Sequence, residues 1–418
     1  MLNLWSFAGL LALVAIAWLC SEARRSVAWK PVAAALALQL AIGALVFLVP
    51  WTDDVFLWLN GVVLAVLTAS QRGIEYVFGP LAIGPGGAGS IGFVLAFQIL
   101  PVAVFVSALA AAAYRLGVIQ PLVRGSARLF QRTLGLSGAE ALGAGANLFV
   151  GVESALVVRP WLERMTRSEL LVLLTTGMAT VASTVLALYT MMLTPVLPTA
   201  AGHLISATVI SIPAAILVAK LLVPERDTPL TLGALPSDAD DPARRGSVMG
   251  ALMQGGMDGM RLAVGIAVGL IALLGVVALA DLLLAQGRHL GLAAPPTIAD
   301  LLTWAAYPFA ALLGVTPADI GPCAKLLGER AVLTEFVAFG HLHDLRAAGA
   351  ISARSLTIMS YALCGFAHIA SIAVFVGGTA AVVPSRRDDL ARLGPRALLA
   401  ATLATLMTGC IAGMFSGA

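Results

Sequence analysis

Two glutamates lie in runs where a carboxylate is costly. Glu153 interrupts Gly151-Val-Glu-Ser-Ala-Leu-Val-Val, and Glu335 interrupts Ala331-Val-Leu-Thr-Glu-Phe-Val-Ala-Phe. If such runs enter a membrane, an ionisable group there costs several kcal/mol unless a partner or a wet cavity compensates it, so it marks a binding or ion site. A carboxylate accepts hydrogen bonds at both oxygens, which suits it to the hydroxyl or N–H groups of a polar solute. Asn147, Thr180 and Thr184 add uncharged oxygens, and the two threonines, four apart, share one helix face. With carbonyls freed by a broken helix they could coordinate a desolvated sodium ion, although threonine in membrane helices also serves simply to bond the backbone. His368 admits two readings, a solute or proton group and a satisfied polar group inside the bundle.

Other polar residues are assigned to structure. Glu140, in Ser137-Gly-Ala-Glu, reads as a helix start capped by Ser137. His341-x-His343-Asp344 reads as a solvated turn, with no third metal ligand at a suitable spacing. Gly84-Pro-Gly-Gly-Ala-Gly lacks the Lys-Ser/Thr of a phosphate loop, and no hydrolase or zinc-protease signature is present. Paired carboxylates without a nucleophile or metal set make an enzyme the least supported class.

The elements that must position these groups are membrane helices. Of 418 residues, 60% are hydrophobic and 11% charged, with a mean hydropathy of +0.96, which excludes a water-soluble fold. Spans are expected at 3–20, 31–50, 92–114, 168–193, 203–223, 262–285, 355–380 and 397–416. Arg24, Arg25 and Lys30, then Arg115 to Arg132, Arg226 to Arg261 and Arg386 to Arg396 fall in alternate loops. The positive-inside rule makes those loops cytoplasmic and both termini external. The basic balance is thus a membrane signature, and no nucleic-acid binding is inferred. Met1-Leu-Asn-Leu-Trp lacks a positive n-region, so the first apolar stretch reads as a helix rather than a removed leader. The four cysteines, dispersed without CxxC spacing, read as buried hydrophobes. Residues 115–132, alternating basic and apolar in helical fashion, and 52–75 are expected to lie along the interface.

Two stretches resist reading as simple crossings. Residues 137–165 are broken by Gly143, Gly145, Asn147, Gly151, Glu153 and Pro160, and residues 298–343 by Pro308, Gly314, Pro317, Pro322 and Gly328. Each predicts a re-entrant helical hairpin, and each precedes a span with a polar interruption: Thr180, Ser183 and Thr184, then Gly365, His368 and Ser371. The fold class is therefore all-α integral membrane, with about eight transmembrane helices and two hairpins in an inverted repeat whose broken helices meet near the midplane. With no nucleotide-driven motor, such a protein would be a secondary transporter of a small polar solute.

The motifs resemble those of the concentrative nucleoside transporters. The resemblance rests on Gly151-Val-Glu-Ser-Ala-Leu-Val-Val-Arg-Pro-Trp-Leu, Met165-Thr-Arg-Ser-Glu, Gly177-Met-Ala-Thr-Val-Ala-Ser-Thr-Val-Leu, Leu327-Gly-Glu-Arg-Ala-Val-Leu-Thr-Glu-Phe-Val-Ala and Tyr361-Ala-Leu-Cys-Gly-Phe-Ala-His. It continues through Gly377-Gly, Arg386-Arg-Asp-Asp-Leu, Leu393-Gly-Pro-Arg-Ala-Leu and Ile411-Ala-Gly, in collinear order over residues 90–415. It implies sodium- or proton-coupled import of nucleosides by a homotrimer in the bacterial inner membrane, each protomer pairing a scaffold with a transport domain that moves like an elevator. Residues 1–136, 201–297 and 384–418 would form the scaffold, with a cytoplasmic linker at 224–245, and residues 137–200 and 298–383 the transport domain. No cofactor is implied beyond sodium as the coupling ion.

The resemblance also implies site residues. The family's sodium set matches Asn147, Val150, Thr180, Val181 and Thr184, with Thr184 where the family has Ser. The solute set matches Gly151, Val152, Glu153, Thr334, Glu335, Phe366, His368 and Ser371. Three departures fall in that set. Gly151-Val152-Glu153 replaces Gly-Gln-Thr-Glu, removing the amide and hydroxyl that contact the base; Thr334 replaces Asn; and His368 replaces the Asn that binds ribose. They imply altered specificity, toward a nucleoside or a related polyhydroxylated solute. A proton-coupled transporter of another polar solute and a non-transporting sensor of the same fold stay open as alternatives.

Overall fold

The computed structural model describes residues 1–416 apart from 50, 85, 86, 88, 93, 150, 152, 153, 234–246 and 287–295. Its described residues form nineteen α-helices. Three helices begin the chain, α1 (Leu2–Leu19), α2 (Trp29–Leu48) and α3 (Thr52–Phe78). After short α4 (Leu95–Gln98) come α5 (Val102–Arg115) and the amphipathic α6 (Gln120–Leu134), which buries Val123, Ala127, Phe130 and Leu134 while Arg128 and Arg132 face outward. The first repeat is α7 (Gly138–Ala146), α8 (Ser154–Val157), α9 (Arg159–Leu162), α10 (Arg167–Ala179) and α11 (Ser183–Leu193). Long α12 (Ala200–Leu222) and α13 (Val248–Ala285) separate it from α14 (Ile298–Leu312). The second repeat is α15 (Ile320–Val332), α16 (Glu335–Ala347), α17 (Ala353–Ala362) and α18 (Ile369–Val382), and α19 (Arg387–Phe415) closes the chain.

Three sequence expectations change. Residues 52–78 form one apolar helix of 27 residues rather than an interfacial segment. The span expected at 92–114 is kept, since Leu95–Arg115 is long and apolar enough to cross a membrane, although its helix is divided before Val102 into α4 and α5. The stretch 298–343 is not one hairpin: α14 ends at Leu312, Gly314 takes a left-handed backbone (φ 76°), and Pro317 cannot continue a helix, so the hairpin proper is α15 and α16. His341 and His343 consequently lie on helix α16 instead of in a turn, and His341 Nδ1 is 2.8 Å from Glu329 Oε2.

Polar joinery marks the two ends of the molecule. At one end the basic loops converge, with Glu22 taking Arg167 at 3.3 Å and Arg396 at 2.8 Å, and Arg386 donating to the carbonyls of Glu163 and Met165. The first hairpin starts here. Ser137 and Glu140 form a capping box on α7, Thr166 and Glu169 form another on α10, and the Ser137 hydroxyl donates to Glu169. Lys220 of α12 joins both, 2.6 Å from Glu140 and donating to Ser168 at 3.2 Å.

At the other end Arg354 donates to the carbonyls of Gly314 and Gly413, to Asn3 Oδ1 and to Ser416 O, tying both chain termini to α17. The second hairpin starts beside it. Asp319 accepts from Thr316 at 2.5 Å and Ser352 at 2.7 Å. Burial opposes its charge, yet hydrogen bonds from Thr316, Ser352 and Ser355 outweigh it and hold the carboxyl below its usual range. The two hairpins thus enter from opposite ends with the same hydroxyl–carboxylate device.

Between the ends the packing is apolar and close. Gly255 and Gly259 of α13 press on α5, where a Cβ would sit 2.6 Å from the Ser107 carbonyl and 2.4 Å from that of Ala103. The opposite face of α13, with Val264, Val268, Ile271 and Leu282, is exposed and apolar, as lipid contact requires.

Replacing Lys220 by Met would leave Glu140, 1% exposed, without its cation. Such a loss costs about 3–5 kcal/mol. The apparent melting temperature in detergent should fall by several degrees, and Lys220→Met/Glu140→Gln should recover part of it. A single variant that melts like the unmodified protein would refute the assignment.

Candidate functional site

The first break in the bundle is set by β-branched residues. Thr180 takes extended backbone (φ −117°, ψ 166°), so α10 ends at Ala179 and α11 begins only at Ser183. The Thr180 hydroxyl lies 2.8 Å from the Thr176 carbonyl and 3.1 Å from that of Asn147, the residue ending α7. Asn147 is fully buried, and its hydrogen bonds assign the amide: its oxygen accepts from Gly177 N–H at 3.1 Å and Thr176 Oγ1 at 2.9 Å, and its nitrogen donates to Gly151 O at 3.1 Å and Ser154 Oγ at 2.8 Å.

The second break carries the carboxylate. Thr334 caps α16, its hydroxyl accepting from Val337 N–H at 3.4 Å, and this places Glu335 in the first helical turn, where the helix dipole favours a negative charge. Glu335 is 3% exposed. Tyr189 of α11 donates to its Oε1 at 2.5 Å, and His368 Nε2 lies 3.1 Å from its Oε2. His368 sits at the start of α18, where Ser371 donates to its carbonyl at 2.5 Å, and the Phe366 ring stands 6.4 Å from the imidazole at 66°.

The two breaks touch. A Cβ on Gly365 would lie 2.9 Å from the carbonyl oxygen of Ala179 and 2.7 Å from Thr405 Cγ2, so only glycine permits this crossing. The sodium-set and solute-set residues thereby occupy neighbouring interiors of one crossing.

Family comparisons agree with this architecture. Residues 203–413 match the family model for the sodium-dependent nucleoside transporter C-terminus, residues 8–81 that for its N-terminus, and residues 96–196 a nucleoside-recognition model. The chain belongs to the concentrative nucleoside transporter family. It is 32% identical to the nucleoside permease NupC of Helicobacter pylori, covering 99% of this chain and 98% of that protein. It is 35% identical to an uncharacterized transporter of Haemophilus influenzae, covering 99% and 97%. It is also 34% identical to human solute carrier family 28 member 3 over 99% of this chain, which spans 60% of that longer protein. The transporter CNTnw, solved in an inward-facing substrate-bound state, superposes with a TM-score of 0.88 at 35% identity, covering 100% of both chains. A variant of it in an outward-facing state gives 0.90, with 99% of each covered. The protein is accordingly a membrane transporter of a family that uses sodium as its coupling ion, and its relatives are carriers, not enzymes.

Within this family member the structure brings Asn147, Gly151 and Thr180 together at the first break, with Val181 buried beside them. Thr334, Glu335, Phe366, His368 and Ser371 are gathered at the second. Val150, Val152 and Glu153 lie outside the described residues, as does the side chain of Thr184. Tyr189 was not foreseen from sequence. Its one signal is a hydroxyl within the apolar run Val185–Leu193, and it is fully buried, with its ring 4.6 Å from that of Phe339.

Tyr189→Phe removes one charge-assisted hydrogen bond from Glu335. A bond of this kind contributes about 1.5–3 kcal/mol. The half-saturating solute concentration should rise roughly tenfold or more, and the melting temperature should fall by a few degrees, since the bond is present without solute. Kinetics indistinguishable from the unmodified carrier would show that the phenol does not position the carboxylate.

Proposed function

We propose that the protein imports nucleosides, or nucleoside-like polyhydroxylated solutes, by sodium symport. The observation that carries this reading is Glu335, a buried carboxylate at a helix break, organised by Tyr189 and His368. We assign hydroxyl recognition to Thr334, Glu335, His368 and Ser371, stacking to Phe366, and the facing contacts to Gly151, Val152 and Glu153. Sodium takes the first break, at Asn147, Val150, Thr180, Val181 and Thr184; the Asn147 carbonyl and the Thr180 hydroxyl, buried together where α10 ends, support this position. The absence of the Gln-Thr pair favours recognition through the sugar over recognition through the base.

The CNTnw structures in inward-facing, outward-facing and intermediate states support alternating access of the elevator type here, the two hairpins and broken helices moving against the remaining helices. A homotrimer, as the family resemblance implies, is part of this reading. The convergence of basic loops at one end supports a plasma-membrane orientation with that end cytoplasmic and both termini external.

Uptake of labelled uridine, adenosine and a base-free riboside into vesicles, each with and without a sodium gradient, tests the reading. Sodium should stimulate at least one, and Glu335→Gln should reduce it roughly tenfold to a hundredfold, the effect of losing a hydrogen bond to a charged group. Thr180→Val should raise the sodium needed for half-maximal uptake about tenfold, roughly 1.4 kcal/mol. Uptake that ignores sodium, or follows pH alone, would overturn the proposal.

A further inference from the structure

Arg330 is the largest fully buried side chain, 1% exposed, and no carboxylate among the described residues lies within 4 Å of it. A buried guanidinium without an anion is costly by several kcal/mol, so something else compensates it. Its Nη1 donates to the carbonyl of Ala362 at 2.5 Å and to Thr405 Oγ1 at 2.9 Å. Ala362 is the last residue of α17. The final carbonyls of a helix have no partner within it and carry about half a negative charge, so Arg330 is held by the negative end of a broken helix.

The first repeat presents the same problem without the same answer. There α10 ends at Ala179, against hairpin residue Asn147 and the Thr180 hydroxyl. That end meets the second break directly, since the Ala179 carbonyl packs on Gly365, three residues beyond Ala362. Two helix ends of like polarity therefore converge in one dry interior. Each hairpin supplies a group to its own break, a neutral amide in the first and a guanidinium in the second.

We propose that Arg330 is a built-in cation, standing in the second repeat where the first takes its sodium. This rests on the assignment of sodium to the first break. It makes Arg330 a positioning residue: it neutralises the end of α17 and so holds the segment leading to His368 in register with Glu335, five residues further along its own hairpin. One break is then closed reversibly by an ion from solution, the other permanently by a tethered one.

Sodium-dependent uptake by the full-length protein in vesicles, comparing Arg330→Lys and Arg330→Met with the unmodified chain, tests this. Lys, which keeps the charge, should preserve the sodium curve. Met should take up about tenfold less at low sodium, recover as sodium rises, and show a Hill coefficient moving from about 1 toward 2 as a second ion fills the vacated position. A folded Met variant with the native sodium curve overturns the inference. Should Met not be recovered folded, Lys decides alone, because a merely geometric role for the guanidinium fork predicts that Lys also fails. Sodium-independent uptake by the unmodified protein overturns the sodium assignment above, whereas sodium-dependent uptake with an unchanged Met curve overturns only this inference.

Discussion

A helix that stops inside a bilayer leaves carbonyls that no water can reach, and two such stops, at Ala179 and Ala362, organise this protein. Their crossing at Gly365 brings both negative ends into one interior. Everything polar near the centre answers to them. The hairpin residues Asn147 and Arg330, and the Thr180 and Thr405 hydroxyls, lie at the broken ends, while Glu335 and His368 lie at the positive starts of α16 and α18. Breaking these helices creates the dipole ends that a solute and an ion can use, and it is why uncompensated polar groups are tolerated there at all.

The same logic explains how the breaks are held. Each hairpin is pinned at its own end of the molecule by hydroxyl–carboxylate pairs, Ser137 with Glu169 and Thr316 with Asp319. The contact of α13 with α5, carried by Gly255 and Gly259, is by contrast a close apolar one within the surrounding helices.

His368 shows how a conserved framework accommodates a changed site. The imidazole lies 3.1 Å from one oxygen of Glu335, and Tyr189 donates to the other. A solute at the site proposed here would compete with, or insert beside, these contacts. The hydroxyls of a sugar, each both donor and acceptor, suit such a setting better than a group that only accepts.

Much of this was legible in the linear sequence. Apolar length made the chain a membrane bundle, and glycine, proline and lone carboxylates inside apolar runs located the interruptions and Glu335, because a bilayer penalises each of those residues locally. Local composition could not show that residues 52–78 form one continuous apolar helix, since the polar residues scattered in it, such as Asn60 and Arg72, also suit a helix at the interface. It could not mark Tyr189 or Arg330 either. A tyrosine in an apolar run and a basic residue in a hairpin acquire their roles only from what folding brings to them, a carboxylate 146 positions away and a helix end 32 positions away. The sequence determined that polar groups would be buried at two interruptions; the tertiary structure alone decided which of them meet, because partnership in a low-dielectric interior depends on distances of a few ångströms that no spacing along the chain records.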